Sequence, residues 1–332
     1  MSNEMISLAK RVLGFYNVKS DAVRVIQSGG IKTVWKIGTA KENYCLKRLK
    51  SKLDKALFSI TAQDYMSSRG AKVPAIRRAA NGELYVVLED QLFVLYDWIE
   101  GSPLNMDIKS HLVEAVQGIA EYHRDSAGFI PPAGCRISSK LGRWPHHYES
   151  MITRFKEWKK TAQESPDQAL SKVFLANVDR FIEQGEKALR LLETSGYDEV
   201  IKITEGRKTL CHQDYGDGNA ILTEKGVYVI DLDGVTYDLP CRDLRKIIIK
   251  RMVSVGSWHK ELLSSIVKGY CEVNPLSKDI RRLLYIDLMF PHEFHDTAKN
   301  PYRKNKIISS NKLSKAAKLE QSKERVLAAI RW

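Results

Sequence analysis

The sequence predicts an α+β chain with a small antiparallel-sheet N-terminal lobe and a larger, mainly helical C-terminal lobe. Three observations carry this prediction. Apolar and polar residues alternate over 23–49 and 83–99, helical periodicity dominates after residue 101, and 332 residues at ~150 per domain make about two domains.

Taken in order, residues 4–14 place apolar side chains at helical spacing. Alternation then sets in with Val23 and Val25, pauses at Ser28-Gly29-Gly30, and resumes with Val34, Trp35, Ile37, Tyr44 and Leu46, as in strands broken by a glycine turn. Residues 52–69 read as a helix and 70–74 as a connector. Residues 84–88 and 92–99 read as two strands turning at Glu89-Asp90-Gln91. Gly101-Ser102-Pro103 is the predicted boundary, because Gly and Pro both end strands. The expected division is therefore an N-terminal lobe over 1–97, a hinge over 98–101 and a C-terminal lobe over 102–332. Within that lobe, 111–124 is amphipathic, 138–147 is polar and aromatic, and about 149–163 and 169–194 are helical. Strands return between 209 and 230, and helices resume from 242.

At 43% hydrophobic and 28% charged residues the composition excludes disorder and fibres. The net charge of +13 raises nucleic acid, a membrane face, an acidic protein or a nucleotide phosphate as partners. Its location narrows the choice: residues 299–332 hold ten basic residues against Glu320 and Glu324. Only Tyr302 and Trp332 supply aromatics there, and no helix-turn-helix or RNA-binding signature lies upstream, so no nucleic-acid partner is predicted. Lys312, Lys315, Arg325 and Arg331 alternate with Leu313, Ala317, Val326 and Ile330, as on a solvated terminal helix or one docking to an acidic partner. Five scattered cysteines without CxxC spacing predict neither disulfides nor zinc, and a reducing site of synthesis, the cytoplasm. The opening Met-Ser-Asn-Glu-Met-Ile-Ser has no basic or apolar signal region, and no stretch approaches 18 uninterrupted apolar residues, so neither an export signal nor a membrane span is expected.

The chemistry concentrates in residues 210–234. An apolar strand enters a loop bearing His212, Asp214 and Asn219 at H-x-D-x4-N spacing, and a hairpin then returns a strand ending in Asp231-Leu232-Asp233. Such a loop can present one carboxylate as a base while an amide oxygen and a following carboxylate share a divalent ion. Mg²⁺ prefers oxygen ligands and leaves room for phosphate and water. Phosphoryl transfer needs this layout: a group that orients the nucleophile and a metal that neutralises the transferring group.

These residues resemble the Brenner-type motif and metal aspartate of aminoglycoside phosphotransferase-like kinases, a superfamily with the protein-kinase bilobal fold that includes choline and homoserine kinases. Within it, Tyr96-Asp97-Trp98-Ile99-Glu100-Gly101, Cys211-His212-Gln213-Asp214-Tyr215, Ile230-Asp231-Leu232-Asp233 and Asp287-Leu288-Met289-Phe290-Pro291-His292 look most like spore-coat kinase-like proteins of endospore formers, the CotS type. The resemblance spans nearly the whole chain. It implies ATP or another NTP and Mg²⁺ as cofactors, with Asp214 as catalytic base, His212 as loop scaffold, and Asn219 with Asp231 as metal ligands. Asp217 and Asp233 are further carboxylates, each either a ligand to a second ion or simply solvated. Lys47 would meet the nucleotide α/β-phosphates, Gly29-Gly30 would turn over the phosphates, and Asp97, Trp98 and Ile99 would form the hinge strand along adenine. Asp243 matches a carboxylate that braces the catalytic loop from a following helix.

Two lookalikes carry less. His123-Arg124-Asp125 spells a protein-kinase triplet but closes an amphipathic helix and has Ile130, not Asn, five residues after the Asp. His146-His147 cannot share a helical face, which suits a surface or substrate rim. One departure from the family pattern stands out: no Glu occurs between Lys47 and Gly82 to pair with the lysine. Asp54, Gln63 and Asp64 are the candidates, and spacing back from Pro74 places the expected position near Ser59 or Ile60.

The expected function is a spore-coat-associated, ATP- and Mg²⁺-dependent phosphotransferase acting on a hydroxyl acceptor, either a small molecule or a coat component. The alternative is a structural coat protein that keeps the kinase-like fold and meets other coat proteins through its basic tail. The acceptor pocket is expected in the helical insert of about 138–200. The basic run from Lys140 to Lys160 argues against cationic antibiotics as acceptors.

Overall fold

A computed structural model of the chain describes residues 2–29 and 32–330. Two compact units form, neither continuous in sequence. The first joins residues 1–105, 118–139 and 212–236, and the second joins 106–117, 140–211 and 237–332.

In the first unit, α1 (Ser2–Gly14) precedes a sheet built from β1 (Ala22–Gly29), β2 (Lys32–Gly38) and β3 (Asn43–Leu49). After α2 (Leu53–Ser68) come β4 (Ile76–Arg77), β5 (Val86–Leu88) and β6 (Gln91–Asp97). All pairings are antiparallel, in the order β1-β2-β3-β6-β4, with β5 also on β6. Alternation decides what each face does. Trp35, Ile37, Tyr44 and Leu46 join Ala9, Val12 and Leu13 of α1 in a buried cluster. Val34, Cys45 and Lys47 line a cleft instead. A bulge between Val25 and Gln27 leaves Ile26 unpaired and more than half exposed.

The turn expected at 89–91 is tighter than predicted. Glu89 and Asp90 both take positive φ, 52° and 56°, as a two-residue hairpin of right-handed twist requires, so β6 starts at Gln91. The strand-breaking Gly101-Ser102-Pro103 also differs from expectation. Ser102–Pro103 forms β7, pairing with β9 (Ala220–Thr223), where an edge position spares proline a ladder donor. Gly101 permits this approach, since a Cβ there would meet the Leu222 carbonyl oxygen at 2.4 Å.

Beyond β7 runs α3 (Lys109–Ser126), whose residues from Gly118 onward belong to the first unit. The chain returns to this unit after β8 (Leu210–Cys211), continues into β9 and β10 (Gly226–Val229), and makes one 3₁₀ turn at Leu232–Gly234 before β11 (Thr236–Tyr237).

The second unit is helical: α4 (Trp144–Glu164), α5 (Ala169–Glu193), α6 (Tyr197–Glu205), α7 (Cys241–Val255), α8 (Lys260–Val273), α9 (Lys278–Met289), α10 (His292–Lys304) and α11 (Ser310–Ala328). Pro145 suits the first turn of α4, so that helix begins within the stretch read as merely polar and aromatic. Phe155, Trp158, Phe174, Phe181, Phe294 and Leu313 form the core of α4, α5, α10 and α11. On α9 the fully buried Asp287 accepts hydrogen bonds from Tyr148 Oη at 2.7 Å and Arg245 Nε at 3.1 Å, with His292 Nε2 at 2.8 Å. The basic C-terminal segment is packed structure: α11 lies against α5, α9 and α10, and Lys323, 1% exposed, pairs with Glu320 and donates to the Phe290 carbonyl at 2.7 Å. Lys312, Lys315, Lys318 and Arg325 remain exposed. Among the described residues no helix is long and apolar enough to cross a membrane.

Candidate active site

Four charged side chains of the first unit converge on one point. Lys47 Nζ lies 2.5 Å from Asp231 Oδ1 and 2.7 Å from Asp233 Oδ1. Lys32 Nζ, from the start of β2, lies 3.0 Å from Asp231 Oδ2 and 3.5 Å from Asp233 Oδ2. The Lys47 side chain is 8% exposed. Burial works against its charge, but Asp233 and Asp231 outweigh it and hold the ammonium above its ordinary pKa. Asp231 in turn is opposed by burial and pulled down to about 2 by Lys47 and Lys32. Asp231 sits at φ 61°, a left-handed conformation unusual for a non-glycine residue, as the chain turns from β10 into the 3₁₀ turn.

The H-x-D-x4-N loop interlocks through its own groups. The ring of His212, fully buried, has Nε2 2.9 Å from the Ile230 carbonyl, while its Nδ1 accepts the Asp214 backbone N–H at 3.3 Å. That pairing suits the neutral tautomer with hydrogen on Nε2. Asn219 Nδ2 donates to the Asp214 carbonyl at 2.8 Å, and the Asn219 carbonyl accepts the Ile230 N–H at 3.1 Å. Asp214 is thereby held by its main chain on both sides while the residue stays exposed. With Nδ2 committed, the Asn219 amide has its Oδ1 left to offer, a hard oxygen like those of Asp231 and Asp233. Three such donors suit Mg²⁺.

A cleft of about 340 Å³ takes in this cluster. Its apolar walls are Val34, Cys45, Pro74, Tyr96, Ile221 and Ile230, and Lys32, Lys47, Asn219, Asp231 and Asp233 supply its polar groups. Asp97, Trp98 and Ile99 also line it. The Asp97 carboxylate is engaged elsewhere, 2.5 Å from Arg77 Nε, and Lys36 Nζ lies 4.4 Å from the Trp98 ring centroid. Gly29 ends β1. Gly30, its expected partner over the phosphates, lies outside the described residues.

Other residues singled out by sequence lie apart from this cluster. Asp54 pairs with Arg136 and Asp64 with Arg78, Ser59 bonds back to the Ala56 carbonyl, and Ile60 belongs to an apolar core. Of the candidate replacements for the missing glutamate, Gln63 is the one that reaches the cleft; it is 4% exposed and its Nε2 donates to the Pro74 carbonyl at 2.7 Å. Arg124 pairs with Asp125 at the surface, and Asp217 is half-buried in the loop. Asp243, 1% exposed, lies on α7 in the second unit. Sequence reasoning missed Lys32, whose one signal is a lysine just after a Gly-Gly turn on the same strand face as Val34.

Comparison with solved structures establishes the fold. An aminoglycoside phosphotransferase from Alicyclobacillus acidocaldarius superposes with a TM-score of 0.77 at 16% identity, covering 96% of this chain and 94% of that one. The amicoumacin kinase hAmiN, solved with AMP-PNP, Ca²⁺ and its ligand, gives 0.58 at 15% identity over 98% and 93% of the two chains. A choline kinase from Cryptosporidium parvum gives 0.57 at 13% identity over 99% and 97%. The architecture is thus the kinase-like one expected. Among curated proteins, Spore coat protein S of Bacillus subtilis is 26% identical over 325 residues, 96% of this chain and 93% of that one. Endospore coat-associated protein YutH of the same organism is 22% identical over 185 residues, 55% and 53% of the two chains. The profile of the family described as "Spore coat putative kinase YutH" matches residues 19–330, and the chain belongs to that family.

Proposed function

We propose that this chain is a spore-coat-associated phosphotransferase that moves the γ-phosphoryl group of a nucleoside triphosphate, with Mg²⁺, to a hydroxyl acceptor. The observation that carries this reading is the interlocked loop: Asp214 is fixed through its main chain by His212 and Asn219 yet stays exposed, in the same unit as a cleft holding Lys47, Asn219, Asp231 and Asp233. Asp214 would accept or orient the acceptor hydroxyl proton. Lys47, and Lys32 beside it, would meet phosphate oxygens, and the apolar walls around Tyr96 and Val34 suit a base. Mg²⁺, held by Asn219, Asp231 and Asp233, would supply charge neutralisation on the phosphates.

The test is thermal stabilisation by ATP or ADP with Mg²⁺. It should disappear in Asp231→Ala, while Asp214→Ala should bind nucleotide as the parent does and transfer nothing. Absence of stabilisation by any nucleotide overturns the reading. A second reading, a coat scaffold with a kinase-like fold, is favoured by Gln63: of the candidates for the family's glutamate it is the one that lines the cleft, and it is a neutral amide committed to the Pro74 carbonyl. In that case Asp214→Ala would leave coat assembly intact and no nucleotide response would be found.

A further inference from the structure

One stretch of the second unit carries charge that its fold does not use. From the last turn of α10 through the first half of α11, residues 303–318 hold six basic residues and no Asp or Glu. Arg303, Lys304, Lys306, Lys312, Lys315 and Lys318 are all exposed, and among the described residues none makes an ion pair. Elsewhere in the same unit exposed lysines do find carboxylates: Lys156 pairs with Glu186 at 2.8 Å and Lys187 with Glu324 at 3.5 Å. Lys312 even stands in the first turn of α11, where the helix dipole is positive and no acidic residue offsets it. Folding alone therefore disfavours this charge.

The turn between the two packed helices adds an apolar side chain. Asn305, at φ 50°, leads the chain out of α10, and Ser309 caps α11. Between them Ile308 packs onto the core of α4, α5, α10 and α11, whereas Ile307 stands fully exposed. Beyond the turn Lys312, Lys315 and Lys318 recur over about 9 Å of helix, on the side away from the buried Leu313 and Ala317.

The side chains choose among anionic partners. Nucleic acid would be met by rings that stack on bases, but 303–318 has no aromatic residue, and Tyr302 just before it is stacked on Trp158 with 6.0 Å between ring centroids. Protein interfaces favour arginine, whose planar fork pairs with carboxylates, and are depleted in lysine. Here five of the six cations are lysine. A lipid surface takes both parts of the turn: ammonium groups stay at the headgroup phosphates while an apolar side chain enters the acyl boundary.

We propose that the α10–α11 turn is a peripheral docking surface for an anionic lipid bilayer, with Ile307 at the acyl boundary and the six cations among the headgroups. The surface is independent of the phosphotransferase reading above.

The experiment floats the full chain, without nucleotide, on vesicles of phosphatidylcholine and on vesicles of an equimolar mixture of phosphatidylcholine and phosphatidylglycerol. The chain should float with the mixed vesicles and stay behind with the neutral ones. Lys312→Gln/Lys315→Gln/Lys318→Gln should weaken binding about tenfold or more, since each lysine near an anionic surface contributes. Ile307→Ser should weaken it about tenfold through lost apolar burial, and leave binding to soluble poly-glutamate unchanged. Should the triple variant fail to fold, Arg303→Gln/Lys304→Gln/Lys306→Gln tests the same charge from the other side of the turn. No flotation with the mixed vesicles overturns the proposal, as does flotation unaltered by the loss of three cations. Poly-glutamate bound as tightly as the mixed vesicles, with Ile307→Ser without effect on either, overturns the bilayer in favour of an acidic protein.

Discussion

Asn219 Nδ2 donates to the main-chain carbonyl of Asp214 at 2.8 Å, so the asparagine that would bind metal with one end of its amide holds the would-be base with the other. Asn219→Ala should therefore loosen Asp214 as well as weaken metal binding. The expected result is a fall in turnover of about tenfold or more, with ~1.4 kcal/mol per decade, and faster amide exchange over 212–219. Asn219→Asp, which keeps an oxygen ligand but opposes the carbonyl with a carboxylate, should rescue metal binding without restoring amide protection.

Restoring a family-like glutamate in α2 should cost stability. Gln63 donates to the Pro74 carbonyl at 2.7 Å from a nearly fully buried position. Gln63→Glu replaces that donor by an acceptor and is expected to destabilise the fold by about 1–3 kcal/mol at neutral pH. The loss should shrink near pH 4, where the new carboxyl regains a proton. Chemical denaturation at the two pH values reads this directly.

Gly101→Ala tests the approach of β7 to β9. The added methyl would meet a backbone oxygen at 2.4 Å and the Ile221 side chain at 2.8 Å, and backbone cannot step aside as a side-chain end can. Destabilisation of about 1–3 kcal/mol is expected by denaturant titration. Gly82→Ala, with open space around it but φ of +86°, isolates the cost of conformation alone.

Stability should fall with rising pH through Glu293. Burial, then Glu320 and Asp296, raises this carboxyl from 4.5 to about 7. Between those values the unfolded chain has lost the proton that the native chain keeps. The stabilisation from this group is complete below about pH 4.5 and is lost as pH rises towards 7. Glu293→Gln should remove that slope from the unfolding free energy measured between pH 4 and 8.

Lys323 and Glu320 form an i, i+3 pair that is almost fully enclosed. Lys323→Met leaves Glu320 buried without its cation and is expected to destabilise by about 3–5 kcal/mol. Adding Glu320→Gln should recover much of that loss, since neutralising both partners removes the orphaned charge. Comparison of the three melting curves distinguishes pairing from packing.

The loop at 212–219 was legible because its three residues act within one turn of chain, and strand alternation put Lys47 opposite Val34 on a cleft-lining face. Lys32 was not, since its partner Asp231 lies 199 positions away and nothing local marks such a pairing. Gln63 was named, but the spacing pointed one turn too early, to Ser59 and Ile60. α2 turns those two towards its own backbone and the core instead. α6 escaped the periodic reading because its nine residues are too short for a clear pattern. The C-terminal positive charge hid Lys323, whose stem and ammonium are both enclosed, contrary to the usual exposure of lysine.

The first unit's assembly from three separated stretches has a consequence for the order of its making. During synthesis the sheet of the first hundred residues emerges early, but the hairpin carrying Asn219 and the turn carrying Asp231 leave the ribosome only after most of α3 to α6 has been threaded between them. Until residue 236 is available, Lys32 and Lys47 face a cleft without their acidic partners, and β7 waits without its pairing strand β9. Such late, sequence-distant closure slows folding and lengthens the exposure of unfinished surface. A nascent chain stalled before the hairpin would thus be the species most in need of chaperones.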